Sequence, residues 1–366
     1  MNLLTSWFKR TFADPQVVFL GIVLVAGVAI VAGLGQMLAP VFASIVIAYL
    51  LEAVVARLQR LGLPRLASVL LVFLLFLATL FFLLFGLVPM LTRQLTQLVQ
   101  QIPNYITQGQ ELLLQLPQRY PQILSERQVQ NLISGVGNEL GTASQQFLTW
   151  SLTSVGTVVG LLVLLVLIPV LVFFLLKDKV MLIDWFKGYL PNEHHLVSAV
   201  WADVEAQIAN YIRGKAGEIV IVGAVSYVTF VSLGLQYSVV LATMVGFSVL
   251  IPYIGAAVIT LPIAFVAYFQ WGWGWSFGQV MIAYAVIQAL DGNVLVPLLF
   301  SEALNLHPVA IIVAILVFGG LWGFWGVFFA IPLATVVQAV LKAWPRIIHD
   351  DDSTEEMPGE EDTDTA

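Results

Sequence analysis

Asp291 stands with Gln288, Gly292 and Asn293 inside a run otherwise apolar enough to lie in a lipid bilayer. A carboxylate held away from water can exchange a proton or hold a cation. The neighbouring amides can supply ligands to a polar solute. A structural use is the alternative. Asp291 could pair with a base or cap a broken helix, and Gln288 and Asn293 could hydrogen-bond between helices. Upstream, Pro252, Tyr253 and Gly255 interrupt apolar sequence, and downstream Pro297, His307 and Pro308 do the same. Gly319, Gly320, Gly323 and Gly326, followed by Pro332, interrupt it again. In hydrocarbon an unpaired backbone group costs several kcal/mol, so such breaks are expected only where protein or a water-lined cavity receives the freed groups. These residues are therefore candidates for lining a solute or ion pathway. His307, near Glu302, is a candidate proton relay, with an ordinary interfacial loop as the alternative.

Such a pathway needs a membrane housing, and the composition supplies one. Of 366 residues, 60% are hydrophobic and only 10% charged, against about 25% charged in soluble domains. The mean hydropathy is +0.94. The net charge of -7 is set by nine acids between Asp350 and Asp364; without them 13 acids face 15 bases. There is no cysteine, which excludes disulfides, thiolate metal sites and thiol catalysis. Lys9 and Arg10 precede an apolar run that is longer than a signal peptide's and is followed by further spans, so a retained first span is expected.

The chain reads as an all-α membrane protein, a polytopic helical bundle of about eight membrane segments, each of which needs about 20 apolar residues. Two broken or re-entrant helical hairpins fall in its C-terminal half. Residues 1–89 read as an interfacial helix and three spans. The first two spans (17–34 and 38–56) form a hairpin turning at Gly35, Gln36 and Pro40, and the third (66–88) ends at Pro89. Arg57, Arg60 and Arg65 place the intervening loop in the cytoplasm. Glu52, near Arg57, reads as an ion-paired or snorkelling residue. Residues 90–150, rich in Gln with Pro103, Pro117 and Pro121, read as an extracytoplasmic amphipathic helical segment. Residues 151–176 give a fourth span and 177–215 a cytoplasmic amphipathic segment, closed at the membrane face by Arg213 and Lys215. Glu218 reads as their structural partner there. His194 and His195 lack further ligands at metal spacing, so they read as a solvated pair.

Residues 216–345 read as a core of two span-plus-hairpin units. In the first, apolar arms at 239–251 and 256–269 are short for full crossings and flank the tip at Pro252 and Gly255. In the second, a span at 277–299 carries Asp291, and arms at 309–318 and 327–341 flank the glycine-rich tip. Gly255 precedes Pro262 much as Gly326 precedes Pro332. With the two spans running in opposite directions, the units form an inverted-topology repeat, a recurring plan of secondary transporters. Residues 346–366 read as a disordered acidic cytoplasmic tail.

No Walker loop, His-Glu-x-x-His pattern or Gly-x-Ser-x-Gly elbow is present, so an enzyme is not expected and no cofactor is implied. Concentrative transport without a nucleotide site would draw on an ion gradient or the membrane potential. The ordered motifs then carry a resemblance. Ile251-Pro252-Tyr253-Ile254-Gly255, the run from Gln288 to Pro297, Leu306-His307-Pro308, and the run from Gly323 to Pro332 resemble the signature of the autoinducer-2 exporter family. Ala48-Tyr49-Leu50-Leu51 and Leu63-Pro64-Arg65 are similar to its N-terminal pattern. This chain has Asp291 where the family usually has glutamate, and Ala256 where a proline commonly follows the tip glycine.

The resemblance implies a multi-pass transporter of the bacterial plasma (inner) membrane with about eight spans, while Lys9 and Arg10 near one end and Lys342 and Arg346 near the other place both termini in the cytoplasm. It further implies export of a small polar solute, such as the autoinducer-2 signal, or exchange of a monovalent cation (sodium) for protons. The bilayer and that solute or ion are the expected partners, with a homo-oligomer possible and no nucleic acid. A non-transporting membrane scaffold, which residues 90–150 and 180–215 could serve, and an ion channel are the alternatives.

Overall fold

The computed structural model describes residues 15–119, 155–188, 195–252, 254–300 and 306–343. The expected interfacial helix before residue 15, Tyr253, His194, Glu302 and the acidic tail lie outside the described residues, as does the part of the polar insert beyond residue 119. Within them all regular structure is helical. Helices satisfy every backbone group internally, which hydrocarbon demands. Among the described residues, six helices are long and apolar enough to cross a membrane.

The first expectation to change is the N-terminal hairpin. Residues 15–60 form one helix, α1 (Pro15–Arg60), that runs straight through Gly35, Gln36 and Pro40. Glycine and proline do break helices in water, where solvent takes up the freed groups. In an apolar setting leaving the helix would strand them, so the helical path persists.

Nor does Pro89 end the helix of the next span. Helix α2 (Arg65–Phe82) passes through a five-residue π turn, Leu83–Leu87, into α3 (Val88–Arg119). Pro89 has no N–H for the carbonyl of Phe85, and its ring crowds that carbonyl. The wider π register relieves the crowding, with Val88 N–H bonding Leu83 C=O five residues back.

Helix α4 (Val155–Lys177) packs against α1 and α2 through Ala48, Val55, Val69, Val72, Val172 and Leu176. At the end of this sub-bundle Glu52 pairs with Lys179 (3.2 Å) and Arg65 (3.8 Å) rather than with the expected Arg57. Arg65 also donates to the carbonyl of Leu176 at the end of α4 (3.0 Å). Helix α5 (Lys179–Lys187) follows after a bend at Asp178.

The C-terminal half begins with α6 (His195–Ser232), a single helix that crosses the expected boundary near residue 215 without a break. Helices α7 (Ser238–Ser248) and α8 (Ile254–Trp271) form the first hairpin. Helix α9 (Trp275–Leu290) continues through a second π turn, Asp291–Leu295, into α10 (Val296–Phe300). Helix α11 (Pro308–Phe328) is kinked at Gly323, and with α12 (Ala330–Ala343) it forms the second hairpin, whose turn is that kink. One core joins α6 to α9 through Val222, Phe230, Leu241, Val245, Ile263 and Tyr284. A second joins α6, α10, α11 and α12 through Tyr211, Phe300, Ile311 and Ile331.

Candidate functional site

The two hairpins share one local device. A methyl group at Gly255 would lie 1.8 Å from the carbonyl oxygen of Ser248, and one at Gly326 would lie 1.8 Å from that of Phe318. In the first hairpin only glycine lets α8 approach the backbone of α7, and in the second only glycine lets the part of α11 beyond its kink at Gly323 approach the backbone before that kink. The first hairpin is also fastened at its far end. The Gln270 side chain accepts from the Gln236 N–H (2.8 Å) and donates to the Gly234 carbonyl (2.8 Å). Outside it, the Gln94 side-chain oxygen of α3 accepts from the N–H groups of Val239 (3.1 Å) and Val240 (3.3 Å) at the start of α7. Tyr105 of α3 packs on Phe265 and Phe269 of α8. The polar insert thus holds the first hairpin directly.

The tip of that hairpin, the second π turn and α6 converge on a cavity of about 370 Å³. Tyr211, Lys215 and Glu218 line it from α6, and Ser248, Val249, Pro252 and Ala256 line it from the hairpin. Gln288, Asp291 and Gly292 line it from the π turn and the helix before it, with Ile311 and Ile331 as apolar wall. The π turn repeats the logic seen at Pro89. Pro297 lacks the N–H that the Asn293 carbonyl would accept, and Val296 N–H bonds Asp291 C=O five residues back. Such turns are frequent at functional sites because they re-aim side chains within a helix.

Two ionisable residues join Asp291 here that sequence reasoning placed at the membrane face. Lys215 and Glu218 have side chains only 5% and 2% exposed and form an ion pair of 2.7 Å. Lys215 Nζ also donates to the carbonyl of Val249 at the end of α7 (2.7 Å), and lies 5.3 Å from the ring centroid of Phe300. A cation at a helix C-terminus meets the negative end of the helix dipole, which favours this seat. Tyr211 donates its hydroxyl to the Phe328 carbonyl of the second hairpin (3.1 Å). By contrast, Asp291 Oδ1 and Gln288 Nε2 are buried with no hydrogen-bond partner. Two carboxylates thus face one ammonium, and one carboxylate oxygen is left over.

The remaining sequence candidates lie elsewhere. Asn293 is exposed and donates back to the Ala289 carbonyl of its own helix (2.8 Å), and Pro297 is exposed beyond the π turn. His307 is exposed and caps α11 by accepting from Val309 N–H (3.3 Å), with Pro308 at the first helical position. Gly323, at φ 58°, ψ -132°, kinks α11 in a conformation suited to glycine. Gly319 meets Val327, Gly320 is exposed, and Pro332 is buried in α12. None of these lines the cavity. The signal that could have found Lys215 and Glu218 was their i, i+3 spacing. That spacing puts both on one helix face just where apolar sequence resumes.

Comparison with known proteins places the chain in a family. Residues 18–346 match the AI-2E family transporter profile. The chain is 43% identical over 345 residues to PerM of Escherichia coli strain K12, named as a permease, covering 94% of this chain and 98% of that one. It is 28% identical over 309 residues to YueF of Bacillus subtilis strain 168, named as a transport protein, covering 82% and 83%. It is 24% identical over 330 residues to TqsA of Escherichia coli strain K12, named as an AI-2 transport protein, covering 89% and 91%. An apolar helical bundle around an ionisable cavity, matched over nearly its whole length, makes this chain a multi-pass membrane transporter belonging to the AI-2E family.

Proposed function

We propose that this protein is a secondary transporter that exchanges a monovalent cation for protons through the cavity at Asp291, moving a small polar solute outward in the same cycle where one is carried. The observation that carries the reading is the charge count in that cavity. Glu218 and Asp291 bring two carboxylates and Lys215 one ammonium, and Asp291 Oδ1 has no partner. An uncompensated carboxylate in a low-dielectric site calls for a positive charge, and a proton or a small cation each supplies one. Two ligands that compete for one site are the minimal requirement of an exchanger.

The hairpins fit alternating access. In this reading α7/α8 and α11/α12 enter from opposite faces as re-entrant pairs, with the α7 C-terminus at the binding site, as in inverted-repeat transporters. Both termini lie in the cytoplasm of a bacterial cell and the chain sits in the inner membrane. The name of the relative TqsA supports a signal of the autoinducer-2 class as the solute.

The test is sodium-driven proton movement in proteoliposomes holding the full chain and a trapped pH dye. Wild-type protein is expected to dissipate an imposed proton gradient when sodium is added, and Asp291→Asn and Asp291→Ala to lose that response. Equal rates in wild type and Asp291→Asn would remove Asp291 from the mechanism.

A further inference from the structure

The Lys215 ammonium has three N–H donors. Two of them reach the protein, one on Glu218 Oε2 and one on the Val249 carbonyl, each at 2.7 Å. The ionisable side chains around this ammonium are Glu218 and Tyr211 on its own helix and Asp291 on the π turn. Tyr211 is committed to the Phe328 carbonyl. Asp291 keeps a buried oxygen, Oδ1, without a hydrogen-bond partner. Lysine is a compact charge on a flexible four-carbon stem, so its head can change partners without moving its helix.

From this arrangement we propose that Lys215 is a resident counter-ion that competes with the transported cation for the two carboxylates, and that its hold on Val249 reports the state of the site to the first hairpin. The inference rests on the cation-exchange reading above. With a cation on Asp291 the cavity is neutral. Lys215 then stays on Glu218 and Val249, and the end of α7 stays capped. With the cation gone, Asp291 is the unbalanced charge, and the ammonium swings toward it. Val249 then loses its donor at the hairpin tip, where Gly255 already brings the two arms into backbone contact. An empty site and a loosened tip become one state.

The absence of cysteine allows a clean reporter. Ala256→Cys places a single thiol at the cavity wall. Its rate of modification by a water-soluble thiol reagent is measured on the detergent-solubilised full chain, with sodium chloride replacing choline chloride at constant ionic strength. In the otherwise wild-type background sodium is expected to slow modification. Lys215→Gln removes the competitor, so the sodium concentration giving half the effect should fall on the order of tenfold, within the usual range for coupled sites. Glu218→Gln frees the ammonium to sit on Asp291, so half-effect should move to higher sodium by a similar factor. A purely structural ion pair predicts weakening in both variants. Opposite shifts support the proposal, whereas same-direction shifts or no shift overturn it. If Lys215→Gln does not fold, the Glu218→Gln shift decides alone, and an unchanged midpoint there overturns it. No sodium response in the wild-type background would instead remove the cation-exchange reading itself.

Discussion

Replacing Gly255 with alanine adds one methyl group where the first hairpin has no room for it. The new carbon would stand 1.8 Å from the Ser248 oxygen and 2.7 Å from its carbonyl carbon, whereas ordinary contact begins at 3.4 Å. The shortfall is about the length of a carbon–carbon bond. Both obstructing atoms belong to the backbone, so no rotamer change relieves them and the start of α8 must back away from α7. We expect a cost of about 3 kcal/mol, the upper part of the range for overpacking. In a chain of this size that lowers the unfolding midpoint by about 4 °C. The control is Gly278→Ala in the interior of α9, where nothing lies within 4 Å of the added carbon. Losing a glycine from an open helix position should gain about 0.5–1 kcal/mol and raise the midpoint slightly. Gly326→Ala should behave like Gly255→Ala, since its clash with Phe318 is the same length. Thermal melts of the purified proteins in one detergent, followed by circular dichroism, make the comparison. If Gly255→Ala melts together with Gly278→Ala, the close approach at the tip is refuted.

Pro297→Ala restores an N–H to the Asn293 carbonyl and lets the π turn relax to ordinary helix. The melting point should rise while sodium-driven proton flux falls, because closing the register turns Asp291 by about 100° relative to α10; undiminished flux would show that the π turn does not aim the carboxylate. Gln94→Ala strips the cap from two amides of α7, at a cost of about 1 kcal/mol. Hydrogen exchange should speed up at Val239 and Val240, and unchanged protection at both would mean that α3 does not hold the hairpin.

Hydropathy and punctuation made the C-terminal half readable. The span carrying Asp291 and the arms on either side of Gly255 fall close to where α9, α7 and α8 form. Their apolar runs are long, and their breaks coincide with proline and glycine. The same punctuation misled at Pro40 and Pro89, where water-based rules expect a stop. There the lipid-like setting makes leaving the helix costlier than accommodating the ring. In the cavity, Asp291 stood out because it is a lone charge in an apolar run. Lys215 and Glu218 were hidden by Arg213 beside them, which does face outward and made the group look interfacial. No local signal says that α6 continues unbroken through that point, since its register is fixed by packing against α7 and α10 rather than by its own residues.

Fastened by Gln270 at one end and pressed together at Gly255 at the other, α7 and α8 cannot easily unzip from each other. Both links to the rest of the chain contain left-handed backbone, at Gly234 and Tyr237 on one side and Gly272 on the other. Displacement of this pair is therefore a swing of one stiff paddle about two fixed pivots, and an arc of a few degrees at the pivots becomes travel of an ångström or more at Val249, on the wall of the cavity.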